Sequence, residues 1–172
     1  ALPMSMGKVL GGGSSINVML WARGHRSDWD FFARETGDES WGYDAVSKIF
    51  REIENWQGAP DPRHRGTGGP VFVQPSPNPG PAAMAMLGAA KEVGIPTFES
   101  PNGELMESEG GCAVTDILVR NGRRHSIFRA YTYPFLDRPN LTLLTGTQVT
   151  RILVERGRAV GVEALREGQM LQ

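Results

Sequence analysis

The stretch of sequence that organises this chain lies near its start and reads Gly7-Lys8-Val9-Leu10-Gly11-Gly12-Gly13-Ser14-Ser15-Ile16-Asn17, here called the glycine stretch. Three consecutive glycines carry too much backbone entropy for the interior of a helix or a strand, so residues 7–15 are predicted to be a loop. Glycines let a backbone approach a ligand closely, and a helix start behind them presents free N–H groups to an anion. The pattern favours an anion-binding or cofactor-binding loop, with a purely structural glycine turn as the alternative.

The glycine stretch matches neither of the two common nucleotide-binding motifs. Val9 follows Gly7-Lys8 where a Walker loop has Ser or Thr, and the glycine that such a loop carries five places earlier is missing. No Gly-x-Gly-x-x-Gly follows a predicted strand, as a dinucleotide fingerprint requires. A nucleotide-binding enzyme of another type that uses residues 7–15 for phosphate is therefore disfavoured.

The composition is that of a loop-rich globular chain without a strong charge. Its 172 residues include 22 Gly and 12 Pro, together about a fifth of the chain against roughly 12% on average. With 18 Lys and Arg against 19 Asp and Glu, the net charge is −1, which provides no electrostatic basis for binding nucleic acid or an anionic membrane. No window approaches the roughly 18–20 apolar residues of a membrane span. The single cysteine, Cys112, excludes an internal disulfide and fits a reducing, cytoplasmic location.

Helices are predicted in five segments of the chain. The clearest is residues 43–55, where Val46, Ile49, Phe50 and Ile53 fall at i, i+3, i+4 and i+7. Further helices are predicted over residues 16–23 with Ser14 or Ser15 as the cap, 26–36 with Ser27 as the cap, 81–93, and 126–137.

Strands are predicted where short apolar or β-branched runs lie between turn residues. They are residues 71–73 and 112–119, and a three-strand meander over residues 141–145, 149–155 and 159–164. Residues 57–70 and 97–111 are rich in Gly and Pro and are predicted to be loops. Helices and strands are mixed without regular βαβ alternation, which predicts an α+β fold.

A longer pattern runs through the glycine stretch: Gly-Lys/Arg-x-Leu-Gly-Gly, two small residues, one further position, an aliphatic residue and Asn, followed later by Arg-Gly and an acid. The residues that match it in register are Gly7, Lys8, Leu10, Gly11, Gly12, Gly13, Ser14, Ile16, Asn17, Arg23, Gly24 and Asp28. This pattern resembles the first signature of the glucose–methanol–choline (GMC) family of FAD-dependent alcohol oxidoreductases, in particular its choline-dehydrogenase-like members. The resemblance continues along all 172 residues, through motifs such as Gly66-Thr67-Gly68-Gly69-Pro70 and Arg138-Pro139-Asn140.

The resemblance implies that FAD lies along the glycine stretch. The residues that it places at the cofactor are Val9, Gly12, Gly13, Ser14, Asn17, Val18, Met19, Leu20 and Val149. The first four would line the flavin, ribityl and pyrophosphate region, and the next four would pass the isoalloxazine ring mostly through backbone groups. Val149 would meet the adenine through its own N–H and C=O. Some members bind flavin covalently through a His at the place of Ile16, so a non-covalent FAD is expected here.

The chemistry that the resemblance implies is the two-electron oxidation of a small-molecule alcohol. A His takes the hydroxyl proton and hydride passes from carbon to the flavin. The family's dinucleotide fingerprint precedes the matching segment and its catalytic His, with a His or Asn partner, follows it, so no catalytic residue is expected in this chain. The chain is therefore expected to be an internal piece of such an enzyme, inactive alone and weak in FAD binding. Its alcohol, its electron acceptor (oxygen, a quinone or another protein) and its oligomeric state stay open.

On the same resemblance the chain divides into three parts. Residues 1–35 would hold the FAD-contacting glycine stretch and the helices after it. Residues 36–138 would belong to the substrate domain, and residues 139–172 would form a β-meander that returns to the FAD-binding domain. The alternative is a stand-alone binding or interaction domain that reuses the substrate-domain scaffold.

The remaining reactive side chains favour structural roles. His25, His64 and His125 have no metal-ligand spacing, so no metal site is expected. Cys112 is expected to be a buried, inert side chain, and Ser126 is expected to cap the helix that follows it. The arginines at positions 120, 123 and 124 are expected to lie in a solvated turn, with contact to an anionic substrate or the cofactor as the alternative.

Overall fold

The computed structural model describes residues 4–172, in which a first unit ends at Pro134 and a second runs from Phe135 to Gln172. Helices and strands are mixed in the order of the chain, so the predicted α+β class is confirmed. The helices of the first unit are α1 (Arg26–Thr36), α2 (Tyr43–Ile53) and α3 (Pro81–Glu92). Its strands are β1 (Leu20–Trp21), β2 (Glu54–Trp56), β3 (Val71–Pro75), β4 (Thr97–Phe98), β5 (Cys112–Ala113), β6 (Asp116–Ile117), β7 (Val119–Arg120) and β8 (Arg123–Arg124).

The ends of the helices are set by capping residues, glycine and proline. The His25 ring accepts the Ser27 N–H at the start of α1 while Asp28 accepts the His25 N–H, so the cap is His25 rather than the expected Ser27. Gly37, with φ of 67°, ends α1. Pro81 stands in the first turn of α3, where its missing N–H costs nothing.

A four-stranded sheet in the order β1-β6-β3-β2 forms the centre of the first unit. Strands β2 and β3 run parallel, whereas β6 pairs antiparallel with β1 and β3. Two smaller ladders, parallel β4-β5 and the hairpin β7-β8, lie outside this sheet. The core beside the sheet consists of Trp56, Val71, Val73, Leu118 and Ala130, with Met19, Trp21 and Ile53 packed against it.

Several predictions for residues 7–137 differ in the structure. The predicted loop at residues 97–111 contains β4 and a 3₁₀ turn at Glu104–Glu107. Residues 16–23 form no helix, because a 3₁₀ turn at Gly12–Ser15 leads into an extended segment that pairs as β1. This also corrects the expectation that residues 7–15 contain no helical turn. The predicted helix 126–137 is a π-helical turn at Phe128–Thr132 followed by a 3₁₀ turn at Tyr133–Phe135. The predicted strand 112–119 is broken into β5, β6 and the first residue of β7, since consecutive pieces pair with different partners.

The second unit is a three-stranded antiparallel sheet in the order β11-β10-β9. Its strands are β9 (Thr147–Glu155), β10 (Arg158–Arg166) and β11 (Gln169–Leu171). The expected strand at residues 141–145 is not formed, and the third strand of the meander is β11. A β-turn with Gly157 at φ of 77° joins β9 to β10.

Candidate cofactor site

The glycine stretch forms a tight turn that is closed by its own backbone. Gly11 and Gly12 have φ angles of 88° and 53°, in the left-handed region that favours glycine. The Gly12 N–H donates to the Val9 carbonyl at 2.8 Å, and the Ser14 N–H donates to the Gly11 carbonyl at 3.1 Å. Local hydrogen bonds and glycine torsions therefore define this turn before any ligand is considered.

The glycines of the stretch fall into two kinds. A Cβ on Gly7 would lie 2.2 Å from the carbonyl oxygen of Gly12. Any larger residue at position 7 would therefore clash with the backbone of the turn. By contrast, no described atom lies within 4 Å of a Cβ built on Gly12 or Gly13. The backbone is therefore open at Gly12 and Gly13, which is the close approach that a cofactor along this stretch requires.

The two serines of the stretch direct their hydroxyls back onto the turn. Ser14 Oγ donates to the Gly11 carbonyl and Ser15 Oγ donates to the Leu10 carbonyl, each at 2.6 Å. Ser14 Oγ also accepts the Ile127 N–H at 3.0 Å. Because the single donor of the Ser14 hydroxyl is already used, a cofactor that needs a hydrogen-bond donor at this residue would meet its backbone N–H.

Asn17 controls the path of the chain from the turn into β1. Its Oδ1 accepts the Met19 N–H at 3.0 Å and an Arg124 Nη1–H at 2.7 Å. Met19 has φ of 61°, a conformation that non-glycine residues adopt only when their surroundings hold them there. The Met19 carbonyl then accepts the Leu118 N–H at 2.8 Å, which brings the segment to the sheet.

Apolar side chains are exposed along the same segment. Val9, Ile16, Val18 and Leu20 each have between 46% and 73% of their surface exposed. Exposed apolar residues grouped in one segment mark a surface that contacts a ligand or another part of a protein. The flat face of an aromatic ring system such as isoalloxazine is chemically compatible with this surface.

Val149, the ninth predicted cofactor residue, lies in β9 of the second unit. It pairs with Ala164 of β10, next to an irregularity in the register between Glu163 and Ala164. Since β9 is an edge strand of its sheet, part of its backbone N–H and C=O groups face away from β10. Main-chain contact with a ligand is therefore possible along this strand.

A buried cluster of charged side chains, here called the ion-pair network, was not found from the sequence. Glu54 accepts from Arg23 and, at 3.0 and 3.1 Å, from Arg65. Asp116 accepts from Arg65 at 2.7 Å and from Asn102 at 2.8 Å. Two positive charges thus balance two negative charges, all within residues that are 5% exposed or less. Burial lowers the pKa of Arg23 below its ordinary value, and Glu54 opposes that shift.

The ion-pair network holds the far end of the segment that leaves the glycine stretch. The backbone N–H of Arg23 donates to Asn102 Oδ1 at 2.9 Å, and Asn102 Nδ2 donates to the backbone carbonyl of Trp21 at 2.8 Å. No local pattern reveals this arrangement, because its ion-paired members lie 11 or more residues apart in the sequence. Each of the four charged members is ion-paired with another member, and the network thereby supports the segment that leaves the glycine stretch.

Comparison with known proteins assigns the chain to a family over its whole length. A family model described as GMC oxidoreductase matches residues 1–172. The chain belongs to the GMC oxidoreductase family. The resemblance in the sequence is thereby confirmed, and FAD is the cofactor that accompanies this family.

Similar proteins are much longer than this GMC chain. The oxygen-dependent choline dehydrogenase of Brucella anthropi is 41% identical over 157 residues, which cover 91% of the chain and 28% of that protein. The mitochondrial choline dehydrogenase of Mus musculus is 39% identical over 163 residues, or 95% of the chain and 26% of that protein. The crystal structure of pyridoxine 4-oxidase from Mesorbium loti matches with a TM-score of 0.86 and 30% identity, covering 96% of the chain and 32% of that structure. The chain thus spans less than a third of each.

The histidines of the GMC chain serve as structural hydrogen-bonding groups. His25 caps α1, His64 Nδ1 lies 2.8 Å from Asp61 Oδ2, and His125 Nε2 lies 3.2 Å from the Pro70 carbonyl. Within residues 4–172, no group of three His, Cys, Asp or Glu side chains has the geometry of a metal site. Over the same residues, every helix is too short or too polar to cross a bilayer.

Ser126 has the expected role, whereas Cys112 and Arg124 differ from expectation. Cys112 is half-buried in β5 rather than fully buried. Ser126 Oγ accepts the Arg129 N–H at 3.4 Å, so it does cap the turn that follows. Arg120, Arg123, Arg124 and Arg129 line one cavity of about 730 Å³. Arg124 differs from the expected solvated residue because it is half-buried and bonded to the glycine stretch.

Proposed function

We propose that the chain is the middle segment of an FAD-dependent alcohol oxidoreductase that removes two electrons from the CH–OH group of a small-molecule alcohol. The observation that carries this proposal is the glycine stretch, a self-closed turn whose backbone is open at Gly12 and Gly13. Relatives named choline dehydrogenase, at 41% and 39% identity, support an alcohol as the substrate class. When bound, FAD accepts the two electrons of alcohol oxidation.

The chain's own contribution is to bind and orient the cofactor. We assign the backbone of Val9, Gly12, Gly13 and Ser14 to the flavin, ribityl and pyrophosphate region. Backbone groups of the segment Asn17, Val18, Met19 and Leu20 would pass the ring, and the N–H and C=O of Val149 would meet the adenine. The exposed side chains of Val9, Val18 and Leu20 would cover apolar ring surface and exclude water from it. Since Ile16 has no nucleophilic atom, the FAD at this position is non-covalent.

The proposal includes a division of labour along the chain. Residues 1–35 serve the cofactor, residues 36–138 belong to a substrate domain, and residues 139–172 return to the FAD-binding domain. The proton-accepting His and the dinucleotide fingerprint lie in other parts of the full-length protein, which we place in the cytoplasm. The 172-residue chain alone is then unable to turn over alcohol.

The first test is cofactor retention and reduction in the full-length protein. We expect FAD to co-purify, to be released by denaturation, and to lose its visible absorption when choline or another alcohol is added without oxygen. The isolated 172-residue chain is expected to reduce no dye with any alcohol and to bind FAD more weakly than micromolar. Absence of flavin binding in the full-length protein contradicts the proposal, and flavin that stays attached after denaturation contradicts the non-covalent assignment.

A second test separates the two kinds of glycine. Gly13→Ala is expected to weaken FAD binding about tenfold, equivalent to about 1.4 kcal/mol, while unfolding of the apoprotein is unchanged, because the added methyl meets no described protein atom. Gly7→Ala is expected to lower both FAD affinity and apoprotein stability, since its methyl meets the Gly12 carbonyl. FAD titration and denaturant unfolding measure the two quantities.

Gly88→Ala is the matched control for the glycine pair. Gly88 lies within α3 with no described atom within 4 Å of an added Cβ, so its replacement is expected to leave FAD affinity unchanged. Equal FAD affinity of the Gly13→Ala and Gly88→Ala variants would show that the cofactor does not approach the backbone at Gly13.

A further inference from the structure

We propose that Arg124 is the positioning residue of the cofactor site, which orders Asn17 and the glycine stretch in the apoprotein so that FAD meets a preformed backbone. This inference rests on the proposed FAD-binding function. It concerns a residue outside the stretch, 107 positions from Asn17 and 110 from Ser14. The guanidinium would act through the protein and without contact to FAD.

The contacts of Arg124 are directed at the glycine stretch. Its Nη1 donates to Asn17 Oδ1 at 2.7 Å and to the Ser14 carbonyl at 3.4 Å. Arg124 is half-buried, and it makes no ion pair within residues 4–172. A charged donor on a neutral acceptor gives a stronger hydrogen bond than a neutral pair does. The charged guanidinium of Arg124 therefore holds the side-chain amide of Asn17 in place through a hydrogen bond.

Asn17 in turn fixes the backbone after it. The same Oδ1 accepts the Met19 N–H at 3.0 Å, where Met19 has φ of 61°. An unrestrained Asn17 side chain can rotate, and the strained Met19 conformation then loses the hydrogen bond that supports it. Arg124 thus stabilises the backbone of residues 17–20 indirectly, through the Asn17 side chain.

Two residues shortly after Arg124, Ile127 and Phe128, contact the glycine stretch at Ser14 and Gly11. The Ile127 N–H donates to Ser14 Oγ at 3.0 Å, and that hydroxyl donates to the Gly11 carbonyl. A Cβ on Gly11 would lie 3.2 Å from Phe128 Cβ, so the two backbones pass each other closely. Residues 124–128 therefore hold the glycine stretch at Gly11, Ser14 and Asn17.

The segment that carries Arg124 is itself bonded to the core of the first unit. Arg124 belongs to β8, where it pairs with Val119 of β7, and the His125 N–H donates to the Leu118 carbonyl at 2.8 Å. Leu118 is a core residue whose own N–H bonds Met19. A glycine-rich stretch has a large conformational entropy to lose on binding a ligand. Anchoring it to the core beforehand removes that cost from the binding step.

The hairpin offers a matched control. Arg123 is the neighbour of Arg124 on β8, has the same charge and lines the same cavity, but it is exposed and has no hydrogen bond to the glycine stretch within residues 4–172. A general electrostatic effect of the arginines on a flavin would act through both residues. A positioning effect would act through Arg124 alone.

The experiment uses the full-length protein and its Arg124→Ala, Arg124→Lys and Arg123→Ala variants. The first readout, taken on apoprotein, is amide hydrogen exchange of residues 12–20. Arg124→Ala is expected to accelerate exchange there, and Arg123→Ala is expected to leave it as in the wild type. The second readout is the FAD dissociation constant, expected to rise about 10- to 100-fold for Arg124→Ala and by less than about twofold for Arg123→Ala. Arg124→Lys, which retains one donor for Asn17, is expected to lie between them.

A double substitution separates positioning from direct contact. If Arg124 acts chiefly through Asn17, adding Arg124→Ala to the Asn17→Ala protein is expected to weaken FAD binding much less than Arg124→Ala does in the wild type. Additive losses, or equal effects of Arg123→Ala and Arg124→Ala, overturn the inference. Failure of the wild-type protein to bind FAD would instead refute the proposed function, while the exchange readout on apoprotein would still report on Arg124.

Discussion

Glu54→Gln is expected to destabilise the fold by about 3–5 kcal/mol, the cost of removing one partner from a buried ion pair. Glu54 is fully buried and accepts from both Arg23 and Arg65. Its neutral replacement leaves two buried guanidinium groups with the single carboxylate of Asp116. Because whole domains are stable by about 5–15 kcal/mol, this is a large fraction of the total.

Denaturant unfolding of the full-length protein, followed by tryptophan fluorescence, measures this loss. Trp56 is a direct reporter, since the Arg65 guanidinium lies 3.5 Å from its ring centre. Glu35→Gln is the control, because Glu35 pairs with Arg34 at 3.9 Å and both side chains are mostly exposed. That pair is expected to contribute between about 0 and 1 kcal/mol. Equal unfolding midpoints for the two variants would mean that the ion-pair network does not stabilise the fold.

Gly66→Ala is expected to cost about 3 kcal/mol, at the upper end of the range for overpacked sites. A Cβ on Gly66 would lie 1.7 Å from the carbonyl oxygen of Arg51, in the last turn of α2. The backbone cannot simply move away, because the Gly66 N–H donates to Glu54 and its carbonyl accepts the Trp56 N–H. The substitution therefore also disturbs the ion-pair network and the edge of the sheet.

Gly68→Ala, two residues away in the same Gly-Thr-Gly-Gly-Pro motif, controls for the loss of a glycine as such. No described atom lies within 4 Å of a Cβ built on Gly68, so its unfolding midpoint is expected to match the wild type. The comparison is made by thermal and denaturant unfolding under identical conditions. A Gly66→Ala protein as stable as Gly68→Ala would disprove the close approach of this loop to α2.

Three helices were predictable from local sequence signals, which are apolar spacing for α1 and α2 and an Ala/Met-rich run between Pro81 and Gly94 for α3. The predicted bounds of α1 agree with the structure, α3 ends one residue early, and α2 ends at Ile53 instead of residue 55. The last difference has a tertiary cause, because Glu54–Trp56 pairs with β3 as a strand. Side chains at i, i+3 and i+4 lie on one face of a helix whatever surrounds it, so such patterns are readable locally.

The segment after the glycine stretch was predicted wrongly because its partner is distant. Residues 16–23 are apolar enough for a helix, but Leu20 and Trp21 pair with Ile117 and Asp116. The Met19 torsion that begins this path is held by Asn17 and by Leu118. A short apolar run does not distinguish a strand from a helix by its own pattern, and the pairing with β6 decides between them.

The glycine stretch was readable in the sequence, whereas the contacts that support it were not. The glycines at positions 7 and 11–13 are visible in the sequence, and the family resemblance predicts FAD along them. The sequence does not distinguish Gly7, where an added Cβ would meet the Gly12 backbone, from Gly13, where it would meet open space. It also does not distinguish Arg124, which is bonded to Asn17, from Arg123. These distinctions depend on which atoms lie nearby, and those atoms come from residues far along the chain.

The sequence by itself determined the mixed fold class, the main helices and the GMC family, and it predicts that the cofactor binds along the glycine stretch. Each of these rests on a local period or on an uninterrupted motif, for which the order of residues is sufficient information. The tertiary structure alone decided that Arg124 holds Asn17, that Glu54 joins two buried arginines, and that residues 20–21 form a strand. The physical reason is that a buried charge or an irregular backbone is stable only with partners in place, and folding brings those partners from 11 to 110 positions away.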